Sequence, residues 1–274
     1  MDETARIDHH MSRIGFGTSG VRGLVSDLVP EVVGAYSRAF AGWLTANGLA
    51  APGATVLVGH DLRPSSPEIA AAVIAALREC GFAVSYAGVL PTPALAFHAL
   101  RSGWPAVVIT GSHIPFDRNG IKFYRPDGEI LKEDEADIVA RLAGVSRAAP
   151  PADPLPEPDG AARAAYLRRY LDFFPAGMLA GRRIGVYEHS SVARDLLHEL
   201  FAALGAETVS IGRSDSFVAV DTEAVSAADQ QQAFDWAKQH GFNALVSTDG
   251  DGDRPLLADE TGRYFRGDAL CILA

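Results

Sequence analysis

One pattern limits what this chain can fold into. Short apolar runs alternate with helix-periodic segments, and several of the runs empty into a polar, glycine-bearing loop. Residues 54–59 (ATVLVG) read as a buried strand. A helix follows, with Ser66 placed to cap it, Pro67 suited to its first position, and Ile69, Ala72, Val73, Ala76 and Leu77 on one face. Gly81 ends that helix, FAVSYAG reads as the next strand, and PTPALAFHALRSG as a shorter helix. PAVVIT is a third strand running straight into GSHIPFDRNG, followed by IKFY, the turn PDGE and a polar helix over 132–142. Such alternation predicts an α/β layer.

Residues 148–160 (AAPPADPLPEPDG) are proline-dense and aperiodic, which reads as an interdomain linker. Alternation then resumes. Helices are predicted over 161–173, 191–204 and 227–240, with strands at RRIGVYE, ETVSIG and NALVST, the last running into DGDGDR. After an apparent hairpin, LLADETGRYF, the sequence RGDALCILA reads as a helix that begins and stops, as if a remainder were missing. The expectation is two similar α/β domains with mixed, mostly parallel sheets flanked by helices and joined by a Pro-rich linker. The boundaries are 1–147, linker 148–160, 161–263, and 264–274 as the truncated start of a third domain.

A formal net charge of −10 argues against nucleic acid or an anionic membrane as the main partner. No apolar run approaches the roughly 18 residues of a membrane span. The start, MDETARIDHH, lacks a basic segment followed by an apolar one, so no secretory signal is read there. Cys80 and Cys271 suit no metal or redox spacing, and a reduced cytoplasmic setting fits. Against the acidic background, Arg22, His60, Arg63, His113, Arg118, Lys122 and Arg254 fall in the unusual loops, a distribution that suits a small anionic substrate.

In Asp249-Gly-Asp251-Gly-Asp253-Arg254, three carboxylates alternate with glycines at the end of an apolar strand. Clustered carboxylates repel one another unless a cation compensates, and hard divalent cations take oxygen ligands. The spacing also mimics a calcium EF-hand, with Glu260 at position 12. Arg254 stands where that loop requires glycine, and the flanks read as strands. In Thr110-Gly-Ser-His-Ile-Pro115, a serine sits where a strand ends, a usual place for active-site residues in α/β proteins. Ser112 can accept and release a phosphoryl group, with His113 and Lys122 supplying positive charge or proton transfer. A serine hydrolase is disfavoured: the G-x-S-x-G elbow is absent, and adjacent Ser112 and His113 would point apart along an extended segment.

The segment from Gly15 to Gly23 contains G-x-G-x-x-G but follows a polar arm rather than a strand, so a dinucleotide fingerprint is not read there. Its Arg22 can lay a guanidinium against a phosphate. His60-Asp-Leu-Arg63 precedes the helix at Ser66, whose N-terminus can help bind an anion.

Taken together, FGTSGVRG, GHDLRPSS, PTPALAFHA, TGSHIPFDRNGIKFY and DGDGDR resemble the α-D-phosphohexomutase family, in that family's order. TGSHIP followed by NGIKFY is most similar to its phosphomannomutase and phosphomannomutase/phosphoglucomutase branch. The resemblance implies Ser112 as phosphoserine, with Mg²⁺ held by Asp249, Asp251, Asp253 and the Ser112 phosphoryl group. It implies Arg22, Lys122 and His113 as acid/base and electrostatic helpers. Thr18, Ser19, His60, Arg63 and Arg254 would serve as substrate and phosphate binders. The implied reaction interconverts hexose 6-phosphate and hexose 1-phosphate through a bisphosphorylated intermediate, with mannose and glucose phosphates as partners and a bisphosphate activator. Alternatives are phosphoglucomutase or phosphoglucosamine mutase specificity, or a non-catalytic phosphosugar-binding fragment.

Two departures accompany the resemblance. Members have four domains, and this chain matches the first two and the opening of the third, which implies weak or absent turnover by this piece alone. YEHSSVARD stands where the family usually has a glycine-rich, Asn-containing loop.

Overall fold

The computed structural model describes residues 3–17, 20–265 and 267–273. The chain divides into two compact units, Met1–Arg163 and Ala164–Ala274.

The first unit opens with α1 (Glu3–Ser12), β1 (Gly15–Phe16), β2 (Gly20–Leu24) and α2 (Pro30–Ala46). It continues through β3 (Thr55–His60), α3 (Ser66–Glu79), β4 (Ala83–Val89), α4 (Thr92–Ser102), β5 (Ala106–Ile109), β6 (Arg118–Arg125), β7 (Gly128–Glu129) and α5 (Lys132–Arg141). The sheet order is β1-β2-β6-β5-β3-β4, with β7 on β6. α1 and α2 are elements beyond those read from the sequence. Pro at the start of α2 suits a helix entrance, and Val33, Phe40 and Leu44 on its buried face join Val58, Val107, Ile109, Ile121 and Phe123 in one core. Phe40 stacks on Phe123 at 4.6 Å between ring centroids, so Phe40→Ala would cost about 3–5 kcal/mol.

The second unit contains α6 (Ala161–Phe173, straddling the division), β8 (Arg183–His189), α7 (Arg194–Ala203) and β9 (Glu207–Arg213). It continues with α8 (Ala227–His240), β10 (Ala244–Thr248), β11 (Pro255–Ala258), β12 (Tyr264–Phe265) and α9 (Gly267–Leu273). The sheet order is β12-β11-β10-β8-β9, and Ile211, Ala233, Phe242 and Leu245 form a core between sheet and helix.

Both units are therefore α/β with mixed sheets flanked by helices. Parallel pairing among the described strands joins β3 to β4 and β5, and β8 to β9 and β10. The antiparallel share exceeds what strand–helix alternation suggests. The turns PDGE and DGDGDR are too short for a crossover, so the strands they join must run antiparallel.

Two local readings change. The N-cap of α3 is Ser65 rather than Ser66, and the Ser66 hydroxyl donates to Asp61 instead. The proline-rich stretch is not a loose tether. Asp159 N–H donates to the Tyr86 carbonyl at 2.6 Å, Arg38 Nη1 holds the carbonyls of Ser146 and Ala148, and Leu155 packs against the first unit's core. Pro158 lies so close to Gly88 that a Cβ there would meet it at 3.0 Å. Prolines lack N–H groups and cannot join a ladder, so such a strap has no periodicity to read.

Candidate functional site

β3 and β5 run parallel and side by side, His60 opposite Ile109, so the loops that leave them emerge at the same edge of the sheet. This places the HDLR turn beneath the serine loop. Asp61 and Arg63 are both buried, at 2% and 1% exposure. Arg63 Nη1 donates to the carbonyls of Pro115 (2.8 Å) and Arg118 (2.9 Å), and Nη2 to those of Ser112 (2.9 Å) and Ile114 (2.6 Å). Asp61 faces the guanidinium Nε at 3.3 Å and accepts from the N–H groups of Arg63 (3.0 Å) and Gly111 (3.2 Å). Asn119 donates to both Ser65 and Ser66 at 2.9 Å. A planar fork of donors suits several carbonyls at once, which an ammonium cannot match. Gly111 makes room for it: a Cβ there would sit 2.4 Å from Arg63 Cζ.

Arg63 thus holds the loop through its backbone carbonyls. His60 is held in the same turn. Its ring is buried, with Nδ1 at 2.7 Å from the Asp61 carbonyl and Nε2 at 2.8 Å from the Tyr86 hydroxyl. A carbonyl only accepts, so Nδ1 carries the proton and Nε2 accepts from Tyr86. Burial holds its pKa below the ordinary histidine value, favouring this neutral form.

Ser112 lies on the loop between β5 and β6, buried, with φ of +50°. Its N–H donates to Thr110 Oγ1 at 2.7 Å. A left-handed backbone is costly for a residue with a Cβ and persists where the surroundings enforce it, as the Arg63 clamp does here. The loop is not extended, so Ser112 Oγ lies 3.3 Å from His113 Nδ1. That corrects the expectation that the two side chains point apart.

Arg22 on β2 pairs with Gly120 on β6, and Lys122 pairs with Gly20. These four positions share one sheet face, opposite the core residues Val21, Ile121 and Phe123. The glycines let β2 and β6 approach; a Cβ on Gly20 would meet the Ile121 carbonyl at 2.1 Å. Arg22 and Lys122 are therefore neighbours across a strand pair, with no side chain on the intervening positions. Thr18 and Ser19 lie outside the described residues.

In the second unit, β10 and β11 pair up to Thr248 opposite Pro255, and DGDGDR is the hairpin loop between them. Asp249 N–H donates to the Arg254 carbonyl (3.1 Å), and Gly252, at φ +77°, closes the turn with its N–H on the Asp249 carbonyl (3.3 Å). Asp249 and Asp251 are buried and Asp253 is exposed, and one carboxylate oxygen from each lies within 4.8 Å of the others. Three hard oxygen donors so close, two of them on buried residues, fit a divalent cation of the magnesium or calcium type. Arg254 reaches Glu223 at 3.2 Å and Asp253 at 3.8 Å.

The sequence reading missed Asp61 and Asn119 beneath the serine loop. It noted the YEHSSVARD turn only as a departure from the family and gave it no role, and it began the following helix at Ser191, whereas α7 starts at Arg194. An Asp in a loop readily accepts the backbone N–H two residues on, as Asp61 does from Arg63, so Asp61 had a readable signal. Asn119 had none, because its partners lie more than fifty positions away.

Two α/β units with polar loops at strand ends make this an α/β protein with its chemistry-bearing residues at the strand ends. The chain belongs to the phosphoglucomutase/phosphomannomutase family: that family's alpha/beta/alpha domain I matches residues 13–148 and its domain II residues 165–262. The chain is 51% identical to a phosphomannomutase of Salmonella muenchen, over 96% of this chain and 54% of that protein. It is 50% identical to one of Sinorhizobium fredii, over 94% and 55%. Among solved structures, a phosphoglucomutase/phosphomannomutase family protein of Burkholderia thailandensis superposes with a TM-score of 0.74 at 26% identity, covering 90% of this chain and 54% of that one. The chain spans about half the length of the curated relatives it matches.

Proposed function

We propose that this chain carries the phosphoserine and metal portions of a phosphomannomutase-type isomerase acting on hexose phosphates in the cytoplasm. Residues 1–147 are assigned to the family's first domain, 161–263 to its second and 264–274 to the opening of a third, with 148–160 between the first two. The observation that carries the reading is the Asp249, Asp251 and Asp253 oxygen cluster in a chain whose Ser112 loop is clasped by the buried Arg63.

Ser112 Oγ is the phosphoryl carrier. The phosphorus–Oγ bond breaks as a sugar hydroxyl at position 1 or 6 attacks, giving a bisphosphorylated hexose, and the other phosphate of that sugar then rephosphorylates Ser112. Lys122 takes the proton of the attacking hydroxyl, and Arg22, across the strand pair, neutralises phosphate charge. His113 stays beside Oγ and can donate to the phosphoryl group. Asp249, Asp251 and Asp253 would hold Mg²⁺, which would supply charge neutralisation to a phosphoryl group. Arg254 and the Thr18–Ser19 segment are assigned to phosphate contact.

The test is intact-mass analysis after incubation with glucose 1,6-bisphosphate and Mg²⁺. One phosphoryl group is expected on the wild type and none on Ser112→Ala; a phosphoryl group that survives the substitution refutes the assignment. Phosphosugar binding without turnover is a second reading. Calorimetry with mannose and glucose phosphates, paired with a turnover assay, separates it. Mannose, glucose and glucosamine phosphates are compared in the same assay.

A further inference from the structure

We infer that the turn from His189 to Val192 is a positioning device for the aspartate loop, and that it sets how tightly the three carboxylates hold a divalent cation. The inference rests on the metal reading above. β8 and β10 are parallel neighbours, Val186 opposite Val246, so the turn after β8 and the loop after β10 leave the sheet side by side. Hydrogen bonds then grip the backbone on both sides of Asp249. Ser247 Oγ donates to the Tyr187 carbonyl (2.7 Å), His189 Nε2 donates to the Thr248 carbonyl (2.8 Å), and Val192 N–H donates to the Gly250 carbonyl (3.1 Å).

Between these, Ser191 Oγ and Thr248 Oγ1 lie 2.6 Å apart. Thr248 Oγ1 donates its single proton to the Asp249 carbonyl (2.9 Å), so Ser191 must be the donor in that pair. Ser191 Oγ in turn accepts from Ala193 N–H (3.0 Å). The result is a directed chain, Ala193 to Ser191 to Thr248 to Asp249, ending on the backbone of the first carboxylate.

The turn is built for this. His189 through Val192 are all buried, and His189 sits at φ +27°, a conformation that residues with a Cβ seldom adopt. Arg194 Nη1 fixes it from behind through the carbonyls of His189 (3.1 Å) and Ser214 (2.9 Å). The imidazole Nδ1 is buried with no hydrogen-bond partner among the described residues, so the bond to Thr248 is what orients the ring. Mg²⁺ demands near-ideal octahedral geometry, so a small rotation at Asp249 is felt in affinity. Groups that orient metal ligands from behind matter for the same reason.

The experiment is titration calorimetry with Mg²⁺ and Mn²⁺ on the full chain, comparing wild type, Ser191→Ala, Ser191→Thr and Thr248→Val, with thermal melts recorded metal-free. Ser191→Ala and Thr248→Val are expected to weaken binding roughly tenfold, and Ser191→Thr, which keeps the hydroxyl, to restore it. If both weakened-network variants bind within twofold of wild type while their metal-free melting points fall, the turn is structural only and the inference is overturned. Wild-type protein that binds neither cation removes the metal reading itself, and this inference with it.

Discussion

Arg63 lies 49 residues before Ser112 in sequence, yet its Nη2 donates a 2.9 Å hydrogen bond to the Ser112 carbonyl, and the same guanidinium holds three more carbonyls of that loop. The proposed phosphoryl carrier thus takes its backbone conformation from a buried cation on another strand's loop. Asp61, at 3.3 Å from Nε, is what makes that buried charge tolerable.

Arg63→Ala takes the guanidinium donors from four carbonyls and the counter-cation from the Asp61 carboxylate. A loss of about 3–5 kcal/mol in unfolding free energy of the first unit is expected, the scale for breaking a buried ion pair. Arg63→Lys recovers little of it, because one ammonium cannot span the four acceptors. Urea unfolding followed by Trp43 fluorescence checks both; a change under about 1 kcal/mol for Ala would contradict the clamp.

Gly111→Ala tests the seat of the guanidinium without touching its charge. The new Cβ would lie 2.4 Å from Arg63 Cζ and 2.5 Å from Nε, so either the loop or the arginine must shift. Destabilisation of about 1–3 kcal/mol is expected, the usual cost of overpacking. Hydrogen exchange should quicken at Gly111, whose N–H donates to the Asp61 carboxylate.

Divalent cation should stabilise the second unit. A ligand at ten times its dissociation constant adds about 1.4 kcal/mol, enough to raise the melting temperature measurably. EDTA removes the rise. Asp251→Asn, which takes one carboxylate from the cluster, should lose the response to Mg²⁺, and a mutant that keeps the full shift would show the ion bound elsewhere.

His60 gives a pH dependence of defined sign. Burial lowers its pKa in the folded chain, so as pH falls below the ordinary value of about 6.5 only the unfolded chain takes up the proton. The contribution is complete above that value and is lost as pH falls from it toward the folded pKa. The stability advantage of wild type over His60→Gln should therefore shrink between pH 7.5 and pH 5, measured by urea unfolding at each pH; a constant gap would argue against a neutral His60.

The sequence by itself determined the class of fold and the two chemical loops. Apolar runs and helical spacing are local properties, so they mark β3, α3, β5, β8 and β10 without knowledge of their partners. Asp249, Asp251 and Asp253 converge because Gly252, at φ +77°, allows a tight hairpin, which is again a matter of neighbours along the chain. Only the tertiary structure decided which polar residues face inward. His60 and Arg63 share a turn with exposed-looking chemistry, but sheet register places Tyr86 beside one and the serine loop over the other. It also decided that Ser112 turns left-handed, which brings His113 to its hydroxyl, and that the HSSV turn locks onto the aspartate hairpin. Apart from the Ser112–His113 neighbours, these partners lie tens of residues apart, and their meeting is set by strand order and register, which no local pattern encodes.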